Sequence, residues 1–239
     1  MNRMTQRYGY APARQCITEG CSQTASPNSL SGRCWRCVGR LRRLGDALQE
    51  LPETYTLDAY VRRMEEARGA LKLLDLEALE RRWTELVDDC RGRAVPSFKT
   101  HKRLSYNVWQ QEASAIIRDL GDALPFTRAL DLLGGIHLLA IERPQTFRSD
   151  DALACCTVEL FRRAANQGRR WGKVRASDGM QASYRVEVSK NTRLESARYL
   201  NVGLGAAAAA LAKRAAAKAD QARQVRDSYY AAVAAIAAE

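Results

Sequence analysis

Residues 16–37 read CITEGCSQTASPNSLSGRCWRC. Cys16, Cys21, Cys34 and Cys37 are spaced C-x4-C-x12-C-x2-C, two close pairs separated by a dozen residues. That spacing suits a tetrahedral zinc site, because a short spacer lets one turn of backbone present two sulfurs to one ion. Four thiolates leave zinc no open position for water or substrate, so the expected metal is structural Zn2+. Gly20 allows the tight bend of a knuckle between the first pair. Cys34 and Cys37 fit the first turn of a helix, with Ser31 or Gly32 near its start and Gly45 ending or bending it. On that helix Val38, Leu41, Leu44 and Leu48 share one face, and Arg36, Arg40 and Arg43 another.

The alternative for these cysteines is a small domain with two disulfides. The N-terminal stretch MNRMTQRYGYAPARQ lacks the apolar core of a secretory signal. Seven cysteines is an odd number, and Cys90, Cys155 and Cys156 fall in helix-like sequence rather than a framework. A reducing cytoplasm is therefore expected. No run approaches the ~18 apolar residues of a membrane span, so no membrane association is expected.

The chain has 239 residues, 46% hydrophobic but only 7% aromatic, with a net charge of +11. Its abundant alanine favours helix. A strongly basic balance points to a polyanionic partner, nucleic acid ahead of an acidic membrane. The charge is uneven. Gly45 to Cys90 is acidic, while the cysteine region and the stretch from Arg162 to Arg198 are basic. Such alternation predicts separate surfaces.

Four segments are expected: a zinc module over 1–50, an acidic helical segment over 51–95, a helical domain with a basic hairpin over 96–200, and a C-terminal helix over 201–239. A helix opens near Thr56 and Asp58. Leu71, Leu74, Leu79, Trp83 and Leu86 follow a 3.6-residue period, and Gly69 divides the stretch into two helices. RGRAVPSFKTHKRLS, Arg91 to Ser105, is a basic linker around Pro96. Helical pattern returns from Tyr106. Gly134 and Gly135 argue against one continuous middle helix, and Asp150 and Asp151 suit a helix start. Asp178-Gly179, flanked by KVRA and SYRVEV, predicts a β-hairpin near 173–188, which after helices has the layout of a winged helix. The last helix carries Leu204, Ala208, Leu211, Ala215, Lys218, Ala222, Val225, Tyr229, Ala232 and Ile236 at steps of four and three, a heptad seam with one fault at Lys218. That seam serves self-association, a protein partner or the chain's own core. The expected fold class is mainly α: a four-cysteine zinc module of treble-clef or ribbon type, a helical middle, the hairpin and a long C-terminal helix.

Two histidines, His101 and His137, starve a His-rich zinc hydrolase or an HNH nuclease of ligands and base. No G-x4-G-K-[ST] loop or G-x-G-x-x-G follows a strand. Adjacent acids such as Asp88 and Asp89, or Asp150 and Asp151, read as caps. His137, in an apolar run, reads as a core residue. No catalytic residue and no small-molecule substrate are expected.

Residues 16–46, through ITEGCSQ, SGRCWRC and GRLRRLGD, resemble a small zinc module of phage and mobile-element proteins, often found ahead of HNH-type nuclease domains. The module's pattern is a C-x4-C knuckle, a polar spacer, G-x-C-x2-[CH] and an arginine-rich R-x2-R-x-G tail. Cys37 stands where the module often has histidine, a competent zinc ligand in its place. The downstream nuclease motif is missing. The resemblance implies nucleic-acid binding in a bacterial or phage setting and carries no activity over.

These features together predict a non-enzymatic, nucleic-acid-binding accessory protein of a phage or mobile-element nucleoprotein complex, with duplex DNA favoured. Arg33, Arg36, Arg40, Arg42 and Arg43 are the expected phosphate contacts of the zinc module. Arg162, Arg163, Arg169, Arg170, Lys173 and Arg175 form a second contact, and Trp171 among them either stacks on a base or anchors the hairpin. Contacts of this kind give affinity and salt dependence rather than sequence choice. The alternatives are a protein-interaction scaffold built on the zinc module and the 204–236 seam, and an RNA-binding subunit of a ribonucleoprotein effector.

Overall fold

The computed structural model describes residues 14–26, 30–93, 108–166, 169–174, 181–185 and 187–237. Among these the chain is mainly helical, as expected, with eight α-helices and one two-stranded sheet. The four cysteines cluster ahead of and within the first helix, and the longest helix comes last.

Helix α1 spans Trp35–Leu44. Its N-cap is Cys34 rather than Ser31 or Gly32, and the Cys34 sulfur accepts from the Cys37 N–H at 3.4 Å. Gly45 ends α1 in the left-handed region at φ 80°, and its N–H donates to the Leu41 carbonyl. That is the glycine C-cap geometry that a Cβ disfavours. Leu48 thus lies beyond the helix, not on its face.

Helices α2 (Thr54–Gly69) and α3 (Leu73–Gly92) are divided just after Gly69. Trp83 is buried on α3, but Leu74 is exposed. Arg91 and Gly92, assigned by sequence to the basic linker, are the last residues of α3. The rest of that linker from residue 94, with Pro96 and His101, lies outside the described residues. Helices α4 (Val108–Ala123) and α5 (Phe126–Glu142) follow.

Helix α5 runs unbroken through Gly134 and Gly135, contrary to expectation. The physical reason is close packing. A Cβ on Gly135 would sit 3.1 Å from the Val61 backbone nitrogen, and one on Gly134 would sit 2.7 Å from the Met64 methyl. The glycines therefore let α2 lie against α5, and burial outweighs their low helix propensity of about 1 kcal/mol each. Helix α5 is buried over most of its surface, and α2 and α8 flank it. Two bidentate pairs lock α2 to α5. Arg63 donates to both Glu142 oxygens at 2.9 and 2.7 Å. Arg68 donates to both Asp131 oxygens at 2.8 and 3.0 Å. Burial pushes the Asp131 carboxyl up, against the opposing pull of Arg68.

Helix α6 (Asp150–Ala164) is capped by the Ser149 hydroxyl, with Asp150 and Asp151 in its first turn. Strands β1 (Arg169–Val174) and β2 (Gln181–Arg185) pair antiparallel, Arg169 with Arg185 and Val174 with Gln181, and an irregularity lies between Trp171 and Val174. The paired segment begins at Arg169, earlier than the 173 read from the sequence. Asp178 and Gly179 lie outside the described residues.

Helix α7 (Lys190–Leu200) was not read from the sequence. Its buried face mixes Thr192, Arg193 and Ser196 with Ala197, Tyr199 and Leu200, so no apolar stripe runs its length. A π-helical stretch, Asn201–Gly205, joins it to α8 (Ala206–Ala237). The heptad seam splits. Leu204, Ala208, Leu211 and Ala215 are buried in the core, whereas Lys218 to Val233 face outward with hardly a break.

One core joins residues of α2 to α8. A second, small cluster holds Cys16, Cys34, Cys37 and Ala47, with Cys21, Leu41 and Leu48 against it. Cys90, Cys155 and Cys156 are buried, and burial drives their thiols up, Cys155 to about 11 and Cys156 to about 12. Such thiols are inert packing groups. His137 is half-buried on α5, and burial lowers its pKa. Among the described residues no single helix is long and apolar enough to cross a membrane. Helices α4 and α5 reach that composition only as a pair bent by 116°.

Candidate metal centre and its arginine-rich surround

The first cysteine pair sits on a short hairpin. Gln15 bridges Thr24, the Cys16 N–H donates to the Gln23 carbonyl, and the Ala25 N–H donates to the Arg14 carbonyl. Gly20, at φ 77°, turns the chain between Cys16 and Cys21. The second pair opens α1. The four Sγ atoms all lie within 4.8 Å of one another. Cys21 Sγ is 3.5 Å from Cys37 Sγ and 3.9 Å from Cys34 Sγ. A disulfide needs about 2.05 Å, so the two-disulfide alternative does not describe this arrangement. The edges of a tetrahedron of thiolates at ~2.3 Å from one ion are about 3.8 Å, which the observed separations bracket.

The surroundings suit thiolates. The Cys34 N–H donates to the Cys16 sulfur at 3.3 Å, and the Cys37 N–H to the Cys34 sulfur. The buried Thr18 hydroxyl lowers Cys16 to about 6, and the Cys34 amide adds to that against the opposing effect of burial. Cys37 is pushed up to about 12, chiefly by burial and also by the neighbouring sulfurs. A thiol crowded by thiols in a closed site is what a cation relieves. The four cysteines could therefore hold a metal ion.

The metal module is anchored to the helical body on two sides. Gly45 abuts the start of α6, where a Cβ would come 2.8 Å from the Asp151 carbonyl oxygen. The buried Gln49 side chain donates to the Thr146 carbonyl at 3.0 Å and accepts from the Arg148 N–H at 3.0 Å. Asp46 Oδ1 caps the turn between, accepting from the Leu48 and Gln49 amides.

This docking brings two distant basic segments to one place. Arg43 of α1 and Arg163 of α6 line one cavity of about 790 Å3. Beside it, a groove is lined by Trp35, Arg36, Arg42 and Arg43. Arg42 and Arg43 are exposed and make no ion pair among the described residues. Arg40 and Arg36 both approach the Glu50 carboxylate, Arg36 at 3.8 Å, which partly neutralises that edge. Arg33 is half-buried, with its Nε lacking a partner.

Arg162 requires a correction. It is 4% exposed and lies 3.5 Å from the buried Glu159, so it belongs to the interior rather than to an outward phosphate contact. Arg163 is exposed, 4.0 Å from the same carboxylate. Arg169, Arg170, Trp171 and Lys173 lie on β1, and Arg175 lies outside the described residues. Sequence reasoning missed three residues of this surround. Trp35 is 79% exposed on the arginine-bearing helix; its place between two cysteines drew attention to the metal instead. Arg128 and Arg193 reach the cavity from α5 and α7; Arg128 stands alone on an apolar helix, and Arg193 lies in the basic 162–198 stretch but not beside the arginines singled out there.

In comparisons with family models, with curated proteins and with solved structures, nothing matches this chain.

Proposed function

We propose that the protein binds nucleic acid, duplex DNA before RNA, through a cationic surface that a structural zinc ion holds in place. The observation that carries this reading is the meeting of Arg43 and Arg163 on one cavity. The two basic stretches are far apart in sequence, yet Arg43 and Arg163 line the same cavity, and Arg43 lies on the helix that carries Cys37. Zinc is the ion of choice because four thiolates at tetrahedral spacing match its chemistry. The exposed Trp35 beside Arg36 and Arg42 offers a stacking surface next to phosphate contacts. No catalytic role is assigned. The resemblance of residues 16–46 to a phage and mobile-element zinc module supports a role in a nucleoprotein complex of a bacterium or a phage-infected cell.

The test is binding of labelled duplex DNA and of structured RNA across salt concentrations. Arg36→Ala with Arg42→Ala is expected to weaken binding for all sequences and to reduce the salt slope by up to ~2. No binding by the metal-loaded wild type at low salt removes the proposal. Tighter binding of RNA than of duplex overturns the preference for DNA.

A second reading rests on α8. Val225, Tyr229, Tyr230 and Val233 are exposed on its outer half, a surface suited to a protein partner. Association that survives ~0.5 M salt without nucleic acid would favour it, because phosphate contacts weaken steeply with salt.

A further inference from the structure

The cavity between α1, the start of α2 and the α6–α7 pair has a floor that surface charge alone does not explain. Arg193 of α7 has a side chain only 3% exposed. Its Nη2 is 3.5 Å from Glu159 Oε2, its Nη1 is 3.5 Å from the Arg42 carbonyl and also donates to the Val188 carbonyl. Its Nε is buried and has no hydrogen-bond partner. A buried donor without a partner is destabilising, and burial lowers the pKa of this guanidinium. Above it stand Arg43, Arg163 and Arg128; Arg128 is 3.5 Å from Glu65, and Arg43 has no ion pair among the described residues. Three acids, Asp58, Glu159 and Glu187, line the same cavity against five arginines. The cavity is therefore cationic, and its wall holds an arginine whose donor is unsatisfied.

We propose that this cavity is a phosphate seat: it takes one phosphate group of a bound nucleic acid, with Arg43 and Arg163 closing on the oxygens and Arg193 supplying the recessed charge behind them. Guanidinium forks match phosphate oxygens in pairs, and recessed arginines give such bonds a low-dielectric setting. This rests on the nucleic-acid reading above, but the same chemistry would accept free phosphate, so the two sources need separate measurements.

The experiment uses the full-length, metal-loaded chain. Arginine Nε–H signals are followed by NMR while inorganic phosphate is added, and duplex DNA affinity is measured in parallel. Arg43→Gln with Arg163→Gln removes two exposed charges from the seat. Arg223→Gln with Arg226→Gln removes two from the exposed part of α8 as a charge-matched control. Retained metal content and helicity establish that each variant is folded. Expected are a phosphate-dependent shift of the Arg193 Nε–H signal, absent from the Arg43/Arg163 variant, and at least a tenfold loss of DNA affinity in that variant but not in the control. Wild-type DNA binding with equal affinity in both variants overturns the seat while leaving the nucleic-acid reading intact. A phosphate shift in a protein that binds no DNA upholds the seat for free phosphate and removes the nucleic-acid reading. No shift with either ligand overturns the seat.

Discussion

A Cβ at Gly45 would lie 2.8 Å from the Asp151 carbonyl oxygen and 3.0 Å from its carbonyl carbon. The end of the metal-bearing helix thus touches the backbone of the first turn of α6. Backbone has no rotamer to move aside. Gly45→Ala should lose about 1–3 kcal/mol from left-handed strain and overpacking together. The loss should appear as easier proteolysis between residues 44 and 54, with the metal still bound. Unchanged protease protection would mean that the contact does not hold the module down.

Metal removal tests the small cluster around the cysteines. That cluster contains little besides Cys16, Cys34, Cys37 and Ala47, too small a core to hold a fold on its own. Structural zinc supplies ~10–16 kcal/mol to finger peptides, and that binding energy is folding energy. Cys34→Ser, or a strong chelator, should release the metal and unfold residues 14–44 while α2 to α8 keep their helicity. The measurement is metal content together with amide exchange resolved along the chain. Full protection of α1 in metal-free protein would contradict this.

Gly135→Ala tests why α5 tolerates two glycines. The new methyl would press on the Val61 backbone at 3.1–3.2 Å. In an isolated helix the change would gain about 1 kcal/mol of propensity. Here a net loss of about 1–3 kcal/mol is expected, read from chemical denaturation. A stabilised variant would show that α2 and α5 can separate without penalty.

Acid sensitivity should centre partly on Glu142. The two hydrogen bonds from Arg63 hold its carboxyl below the ordinary range, with Arg223 and Tyr60 assisting and burial opposing. The folded pKa is below the unfolded one. Its contribution to stability is therefore fully present above the unfolded value of ~4.3 and is lost as pH falls through the folded value. Glu142→Gln should cost about 1.5–3 kcal/mol at neutral pH and flatten the acid limb of a stability–pH profile. A parallel profile in the variant would place the acid-labile group elsewhere.

The outer half of α8 should be dispensable for folding. From Lys218 to Val233 its side chains face outward, and its last core residues are Ala215 and Ala216. Truncation after Ala219 should change stability by less than ~0.5 kcal/mol. A larger loss in the isolated chain would mean that this segment packs on the body or on a second copy.

Several features were legible from residue order because their causes are local. The C-x4-C and C-x2-C pairs reach one ion through single turns, so the spacing of Cys16, Cys21, Cys34 and Cys37 encodes the cluster directly. Gly45 stops α1 through its left-handed backbone, and Gly69, a weak helix former, is the last residue of α2. Helix α7 shows no clear stripe because its inward face mixes Thr192, Arg193 and Ser196 with Ala197, Tyr199 and Leu200, and Thr192 and Arg193 become core-compatible only once Glu112 and Glu159 are brought against them. Arg162 looked like its neighbour Arg163, since nothing in the sequence of a helix states which of two adjacent arginines turns inward.

Residue order alone was enough for the mainly helical class, the cysteine cluster and the long last helix, because helix propensity, ligand spacing and turn chemistry act over a few residues. Which arginines share a surface was settled by packing. Arg43, Arg163 and Arg193 come from α1, α6 and α7, and they meet because Gly45 lets α1 dock on α6 and because α7 lies on α6. Relative position of separate helices depends on the fit of side chains across the core, a long-range property that no local pattern carries.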